Sequence, residues 1–251
     1  MPEGDFIYEP GDYIQMEIPA YEKTFDTISI GPPFTQAWRD QNVFRLHASN
    51  DTKTRRNYSM ATNPMRDGEL RFNVRIALPP PGLNCNAGVG SSYVFGLRPG
   101  EVVRAIGPFG DFHIRDSGSE MVYIGGGAGM APMRSHISYL LETKKSQKKI
   151  SYYYGARSSQ DIFYQEYFNQ LVRDYANFDF QIALSDAQDD QDWQGSKGFI
   201  HEVVLDNYLA KHRNPQGIEY YLCGPPVMIA ACQRMLSDLG VPEKQIGFDE
   251  F

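Results

Sequence analysis

Four glycines and an alanine stand between an apolar, strand-like run and a helix-like segment, and this arrangement constrains the fold more than any other feature of the chain. The apolar run is 121–124, the small residues are Gly125, Gly126, Gly127, Ala128 and Gly129, and Pro132 follows. Glycine lets backbone approach a pyrophosphate with no Cβ in the way, and the free N–H groups at a helix start face the anion. Proline fits the first helical turn. The stretch predicts a strand, a phosphate-binding turn and a helix, with a tight strand-to-helix turn as the alternative.

The rest of the second half alternates between strand and helix patterns. Strands are predicted at 121–124, 150–154, 178–184, 219–223 and near Ile246, and helices at 131–145, 164–175, 199–209 and 226–239. Strands that alternate with helices indicate a parallel sheet with helices on both faces.

The first half instead contains short strand candidates separated by Gly, Pro and Asn turns. They lie at 6–8, 13–18, 58–61, 70–77, 102–106 and 112–114. Such spacing favours a barrel or sandwich, while the proline run 79–82 predicts a loop. Because 116–119 is the best boundary, we expect one domain at 1–117 and a second at 118–251.

Composition excludes several classes of protein. A chain of 251 residues can hold two modest cores, and its net charge of −7 makes nucleic acid an improbable partner. Three scattered cysteines are too few for a disulfide framework or a Cys₄ iron–sulfur site, and the histidine spacing supports no metal site. No apolar run approaches the ~20 residues that a membrane span requires. The chain as given is expected to be soluble and metal-free.

Three motifs follow one another along the chain. Arg56-Asn57-Tyr58-Ser59 comes first, the glycine-rich stretch second, and Cys223-Gly224-Pro225-Pro226 third. In this order and over this length they resemble the ferredoxin-reductase family of flavoproteins. The resemblance implies an α+β two-domain fold, in which an antiparallel β-barrel FAD domain is followed by an α/β parallel-sheet domain for the nicotinamide nucleotide.

The resemblance also assigns roles at the flavin. It implies Arg56 on the cofactor phosphates, Tyr58 against the isoalloxazine and ribityl chain, and Ser59 near flavin N5. An arginine can fork onto phosphate and a tyrosine can offer a ring face, which suits these positions.

Two further segments resemble flavin-contacting parts of the family. The first contains Asn73, Val74 and Arg75, of which Arg75 is equally compatible with an exposed strand position. The second contains Ser91 and Ser92 and resembles a second phosphate loop at a helix start. Ser92 matches the motif serine better, because Ser91 can serve solely as an N-cap.

For the nicotinamide nucleotide, the resemblance places the pyrophosphate on Gly125–Gly129 and the nicotinamide near Cys223 and Gly224. Arg157, Ser185 and Asp186 follow predicted strands at the edge where parallel sheets bind ligands. Phe251 resembles an aromatic residue that covers the exposed flavin face, and it joins Ser59 and Cys223 as a predicted catalytic residue. An arginine such as Arg157 also tolerates a 2′-phosphate, so NADH rather than NADPH follows from the resemblance alone.

A closer resemblance comes from the span from Tyr13 to Arg56, a separation of 43 positions, which carries an aromatic-rich insertion containing Trp38 and Phe44. This insertion, Ser59-Met60-Ala61, 73–77 and 125–136 resemble the flavin- and NADH-binding subunits of sodium-translocating NADH:quinone oxidoreductases. That family begins with a membrane helix and a [2Fe–2S] ferredoxin-like domain, which have no counterpart here. We therefore expect a fragment.

The closer resemblance implies that NADH gives a hydride to FAD and that single electrons pass to the [2Fe–2S] centre of the intact subunit. Its partners would be the ferredoxin-like domain and other subunits of the membrane complex, on the cytoplasmic face of a bacterial inner membrane. Two alternatives stay open. One is a soluble NAD(P)H-dependent flavin reductase serving an oxygenase or flavodoxin, and the other is a nucleotide-sensing module without turnover.

Overall fold

The computed structural model describes residues 6–32, 34–80, 85–115, 117–188 and 192–250. The chain divides into two compact units. The larger unit takes the described residues of Met1–Asp12, Ser59–Asn73 and Gly110–Phe251, and the smaller unit those of Tyr13–Tyr58 and Val74–Phe109. The predicted domain division at residues 117 and 118 stays a prediction.

The described residues form eleven strands and six α-helices. The strands are β1 Tyr13–Ile18, β2 Tyr21–Thr24, β3 His47–Asn50, β4 Thr54–Ser59, β5 Ala105–Phe109, β6 Met121–Gly126, β7 Ile150–Ala156, β8 Phe178–Leu184, β9 Ser196–Lys197, β10 Glu219–Gly224 and β11 Ile246–Glu250. The helices are α1 Phe34–Asp40, α2 Val89–Phe95, α3 Met130–Ser138, α4 Gln165–Asp174, α5 Ile200–Asn207 and α6 Pro226–Asp238. None of these helices is both long enough and apolar enough to cross a bilayer.

The larger unit is built on a six-stranded sheet in the order β11-β10-β6-β7-β8-β9, and every pair in it is parallel. Parallel sheets are covered on both faces, so their strands are continuous apolar runs. Strand β6 fits this rule, because Tyr123 packs into one hydrophobic cluster while Val122 and Ile124 pack into a second cluster. The alternating side chains thus supply a core on each face of the sheet.

The sequence predicted five of the six strands described in this sheet and missed the two-residue β9. The predicted strand at 178–184 is confirmed without change, and those at 121–124, 150–154 and 219–223 are each extended by one or two residues. The predicted helix at 131–145 is α-helical only to Ser138 and continues as a π-helical turn over Tyr139–Thr143. The other three predicted helices in this unit lie within two residues of their predicted bounds.

The smaller unit contains the sheet β4-β1-β5, in which β1 and β5 are antiparallel, and the antiparallel pair β2-β3. The aromatic-rich insertion supplies its core. Phe25 and Trp38 stack with ring centroids 6.0 Å apart, and Val43 and Ala48 pack beside them. The insertion is therefore an ordered part of this unit with its own buried cluster.

Several strand predictions in the first half were wrong. The segments 6–8, 70–77 and 112–114 are not strands, the strand predicted at 58–61 ends at Ser59, and the one at 102–106 runs instead from Ala105 to Phe109. A strand needs a neighbouring ladder, and segment 70–77 has only the isolated bridge between Met60 and Phe72. The backbone of Ala77 bonds elsewhere, accepting from the N–H of Gly88 and donating to Ser91 Oγ.

Candidate functional site

The strand order creates a switch point in the larger sheet. Chain connections lead from β6 to β7 on one side, whereas β10 lies on the other side of β6. In open parallel sheets, ligands bind outside the carboxyl ends of the strands at such a point. Here those ends are Gly126 of β6 and Gly224 of β10, each followed by the loop that leads into a helix.

Two glycines shape the loop after β6. Gly127 has a φ of +56°, in the left-handed region, and a Cβ added there would meet nothing within 4 Å. Gly129 is crowded instead, since an added Cβ would lie 2.2 Å from the carbonyl oxygen of Cys223. The last residue of the loop, Gly129, therefore packs against β10, and the space beside Gly127 is open. Helix α3 begins directly after the loop, at Met130. The loop backbone and the N-terminus of the nine-residue helix α3 form the β6 side of the candidate site.

A buried thiol and two polar side chains lie at the end of β10. Cys223 is in register with Gly125 on one side and Asp249 on the other, and only 1% of its surface is exposed. Burial, reinforced by Asp249, raises the pKa of the Cys223 thiol well above its ordinary value. Ser59 Oγ donates to Asp249 Oδ2 at 3.5 Å, and burial raises the pKa of Asp249. A raised pKa favours the neutral thiol over the nucleophilic thiolate.

The neighbouring strand ends carry three more predicted residues. The backbone N–H of Ser185 donates to the carbonyl of Ala156 at 3.0 Å, and that of Asp186 donates to the carbonyl of Arg157 at 2.9 Å. The side chains of Arg157, Ser185 and Asp186 are all exposed. The structure therefore brings these residues together on the same carboxyl edge of the sheet.

Asn73 belongs to a polar network that sequence reasoning missed. The Tyr164 hydroxyl donates to Asn73 Oδ1 at 2.9 Å, while Asn73 Nδ2 is buried and has no hydrogen-bond partner among the described residues. The Tyr164 ring lies 5.1 Å from the guanidinium carbon of Arg134. Arg134 is 4% exposed and pairs with Asp67 Oδ2 at 3.0 Å. The sequence feature that could have pointed to this network is Arg134, a charged residue that follows the apolar first residues of α3.

In the smaller unit, Arg56 and Tyr58 flank the start of α2. A Cβ added to Gly90 would lie 2.8 Å from both Arg56 Cγ and the Tyr58 hydroxyl, so both side chains pack onto the backbone there. Arg56 is exposed and donates to Thr54 Oγ1 at 3.1 Å and to the carbonyl of Arg55 at 2.7 Å. Burial raises the pKa of Tyr58, and the positive charge of Arg56 opposes that shift.

The two candidate serines differ in their hydrogen bonds. Ser91 Oγ accepts from the N–H of Ala77 at 3.0 Å and donates to the carbonyl of Gly88 at 3.2 Å, so its hydroxyl joins loop and helix start. Ser92 Oγ is buried without a hydrogen-bond partner among the described residues, although the Ser92 hydroxyl is near enough to oppose the burial-raised pKa of Tyr21. This unsatisfied hydroxyl distinguishes Ser92 from its neighbour.

Three further predicted residues are Val74, Arg75 and Phe251. Arg75 is exposed and Val74 is half-buried. Phe251 lies outside the described residues. Across the described ranges no group of three or more His, Cys, Asp and Glu side chains is placed to hold a metal ion.

Comparison with known protein families identifies two matching domains. Residues 40–114 match the family described as "Oxidoreductase FAD-binding domain", and residues 123–234 match "Oxidoreductase NAD-binding domain". Together these matches cover most of the chain.

Curated relatives match over the whole chain. The chain is 45% identical over 252 residues to the F subunit of the Na(+)-translocating NADH-quinone reductase of Pseudomonas aeruginosa (strain UCBPP-PA14). It is 46% identical over 253 residues to the protein of that name from Klebsiella pneumoniae subsp. pneumoniae. In both cases the match covers 100% of this chain and 62% of the relative.

Solved structures share the fold. A cytochrome P450 reductase, GcoB, of Amycolatopsis superposes with a TM-score of 0.70 at 25% identity, over 97% of this chain and 61% of that one. The ferredoxin reductase in carbazole 1,9a-dioxygenase has a TM-score of 0.66 at 27% identity, over 98% and 60%. These neighbours confirm the predicted two-domain architecture.

Proposed function

Because residues 40–114 and 123–234 match FAD-binding and NAD-binding oxidoreductase families, we propose that this chain is an FAD-dependent NADH dehydrogenase module. One observation carries the proposal. Ser59, from the flavin motif, hydrogen-bonds Asp249, and Asp249 is the register partner of Cys223 at the strand ends predicted to hold the nicotinamide. The larger unit thus brings residues expected to contact flavin and nicotinamide into one polar cluster.

The residues present fit FAD. Asn73 Nδ2 and Ser92 Oγ are buried without partners among the described residues, and FAD offers carbonyl, hydroxyl and phosphate oxygens to such donors. When bound, FAD supplies the acceptor for a hydride and the donor for single electrons. In this proposal Arg56 and Ser92 would hold the phosphates, Tyr58 would pack against the isoalloxazine and ribityl chain, and Ser59 would lie near flavin N5.

The glycine-rich loop and the start of α3 would bind the NADH pyrophosphate, which fits the open space at Gly127. Cys223 would pack near the nicotinamide as a protonated, uncharged side chain, because burial raises its pKa. A hydride transfer requires no acid or base from the protein. It requires donor and acceptor atoms about 3–3.5 Å apart, so the chain's contribution is position.

The preference for NADH over NADPH rests on the names of the curated relatives. Exposed Arg157 suits a 2′-phosphate as well. The deciding experiment mixes the purified FAD-loaded chain with NADH or NADPH in an anaerobic cuvette and follows bleaching of the flavin absorbance. We expect fast reduction by NADH and slow reduction by NADPH. Equal rates would contradict the NADH assignment, and no reduction by either would contradict the proposed function.

The chain spans 62% of the length of these relatives, so what the whole protein does is a further proposal. We propose that the intact protein passes single electrons from FAD to a [2Fe–2S] centre in a ferredoxin-like domain and works with other subunits of a sodium-translocating membrane complex. A membrane helix would anchor it at the cytoplasmic face of a bacterial inner membrane. The chain alone should reduce ferricyanide with NADH without an iron–sulfur electron paramagnetic resonance signal.

A second candidate is a reductase that serves a separate protein, as the names of the two solved neighbours suggest. The higher identity to the NADH-quinone reductase relatives, 45% against 25–27%, favours the first candidate. Rapid NADH-dependent reduction of an added flavodoxin or oxygenase component, with no faster transfer to an added ferredoxin-like domain from one of those relatives, would favour the second. A nucleotide sensor without turnover would purify without flavin absorbance.

A further inference from the structure

We propose that Tyr164 is a positioning residue that holds the side-chain amide of Asn73 as a hydrogen-bond donor to FAD. The inference rests on the proposed binding of FAD and adds a residue from the start of α4, far from the flavin motifs in sequence. Sequence reasoning placed Asn73 among the flavin contacts but gave its amide no partner and Tyr164 no role.

The hydrogen bonding of Asn73 carries the inference. Its Oδ1 accepts from the Tyr164 hydroxyl at 2.9 Å. Because that bond uses the amide oxygen, the amide nitrogen is left to find an acceptor, yet Nδ2 is buried and unpartnered among the described residues. A buried donor without an acceptor costs free energy, so such groups in native proteins have a partner in the protein, in water or in a ligand. An FAD carbonyl or hydroxyl oxygen has the matching chemistry.

Tyr164 is itself tightly held. It has a φ of +52°, in the left-handed region that residues other than glycine rarely adopt, and such residues persist where their surroundings fix them. Its ring lies over the Arg134 guanidinium, and Arg134 bonds Asp67 and the carbonyl of Ala61. Tyr164 is thus anchored to α3 and to the segment 59–73, at whose ends Ser59 and Asn73 stand.

Tyr167 provides a matched control, because its ring lies 4.7 Å from the same guanidinium carbon. Its hydroxyl donates to Glu142 Oε2 at 2.9 Å and has no bond to Asn73. Tyr164→Phe and Tyr167→Phe therefore each remove one hydroxyl from a ring on Arg134, and only the first removes the bond that orients Asn73.

The experiment strips FAD from the full chain and titrates it back, following the quenching of flavin fluorescence. We expect Tyr164→Phe to raise the FAD dissociation constant about three- to tenfold, the effect of one neutral hydrogen bond. Asn73→Ala should do the same or more, and the double variant should bind no more weakly than Asn73→Ala, since the two changes act through one bond. Tyr167→Phe should bind FAD as the unchanged chain does.

Asn73→Asp keeps an acceptor for Tyr164 but replaces the donor with an acceptor, so it should also weaken FAD binding. Thermal unfolding of the FAD-free variants identifies any variant that fails to fold. If Tyr164→Phe fails to fold, Asn73→Asp still tests the inference. Wild-type affinity in both Tyr164→Phe and Asn73→Asp would overturn the inference and leave the proposed function intact. Equal weakening by Tyr164→Phe and Tyr167→Phe would overturn it too. Failure of the unchanged chain to bind FAD would overturn both.

Discussion

Strand β6 of the larger unit is buried at all six positions, whereas strand β5 of the smaller unit is exposed at all five. Side chains on both faces of the larger sheet are packed into hydrophobic clusters. Among its described residues, the smaller unit has one such cluster, built mainly by the aromatic-rich insertion. The larger unit is therefore stabilised mainly by the apolar surface buried in its own interior. The smaller unit buries less apolar surface and gains less stability from it.

The candidate sites differ in the same way. In the larger unit the predicted phosphate-binding loop is formed by backbone, and its position is fixed by the close approach of Gly129 to Cys223. In the smaller unit the predicted phosphate ligand, Arg56, is an exposed side chain that bonds only to its own strand in the described structure. We therefore expect substitutions in the larger unit's polar core to affect folding, and substitutions at Arg56 to affect the cofactor.

The largest effect should come from Arg134→Met. Removing one partner of a buried ion pair costs about 3–5 kcal/mol, because Asp67 and the Ala61 carbonyl lose their buried cation. The control is Arg173→Met, the same change at an exposed arginine paired with Glu166 at 2.6 Å, which should cost less than about 1 kcal/mol. Urea unfolding followed by circular dichroism measures both. Similar losses would contradict the contrast between buried and exposed polar contacts.

Acid should destabilise the larger unit through His136. Its Nε2 donates to the carbonyls of Phe112 at 2.9 Å and Pro10 at 3.1 Å, while Nδ1 is buried and has no partner among the described residues. Burial lowers the pKa of His136 to about 4. The unfolded chain, with a pKa near 6.5, therefore binds the proton first, and stability falls by about 3 kcal/mol as the pH drops from about 6.5 to 4.

Other groups titrate over the same range, so the measurement is a difference. His136→Gln keeps a donor but has no charged form, and its free energy of unfolding should depend less on pH than that of the unchanged chain. Parallel pH curves for the two proteins would show that His136 does not control acid stability.

These two changes concern residues that the sequence did not single out, and the reason is physical. The central strands of the sheet were predictable because they are rich in apolar residues, as in the continuous apolar run Met121–Ile124. The partners of Arg134, Tyr164 and Asp249 were not, because Asp67, Asn73 and Ser59 lie far away along the chain. Local pattern identifies a strand or a turn, whereas these pairs depend on tertiary contacts.

The smaller unit shows the other limit. Segment 70–77 has a strand-like sequence, yet Ala77 bonds to Gly88 and Ser91 instead of to a ladder. Strand formation there was decided by the available partner rather than by propensity. The motif Arg56-x-Tyr58-Ser59 was recognisable from sequence all the same, because a family motif does not depend on correct strand bounds.

Arg56→Ala tests the cofactor side of the comparison. Loss of a charged hydrogen-bond partner of the FAD diphosphate should weaken FAD binding by about 1.5–3 kcal/mol and leave the unfolding of the FAD-free chain unchanged. Arg55→Ala is the matched control, since Arg55 lies on the same strand but pairs with Glu17 at 3.1 Å. FAD titration of both variants decides the assignment. Unchanged affinity in Arg56→Ala would remove Arg56 from the proposed site.

The smallest effect should come from Phe251, which we propose to be a movable cover on the flavin. The residue before it, Glu250, ends β11 in register with Gly224 of the nicotinamide motif. A stacked aromatic ring contributes about 0.5–1.5 kcal/mol beyond the burial of its surface. This interaction is weak enough for an incoming nicotinamide to displace the ring. Phe251→Ala should therefore tighten NAD⁺ binding by up to about tenfold, improve the reaction with NADPH and lower turnover at saturating NADH.

A truncation provides the comparison. Deleting residue 251 should reproduce Phe251→Ala, whereas Phe251→Tyr should keep the cover and behave as the unchanged chain. Stopped-flow reduction and equilibrium NAD⁺ titration measure the rate and the affinity separately, so tighter binding with slower turnover can be told from general damage. If Phe251 is a frayed terminal residue, Phe251→Ala will leave the flavin spectrum, the NAD⁺ affinity and the turnover number unchanged. That result would remove Phe251 from the proposed nicotinamide site, which would then consist of the residues at the strand ends of the larger unit.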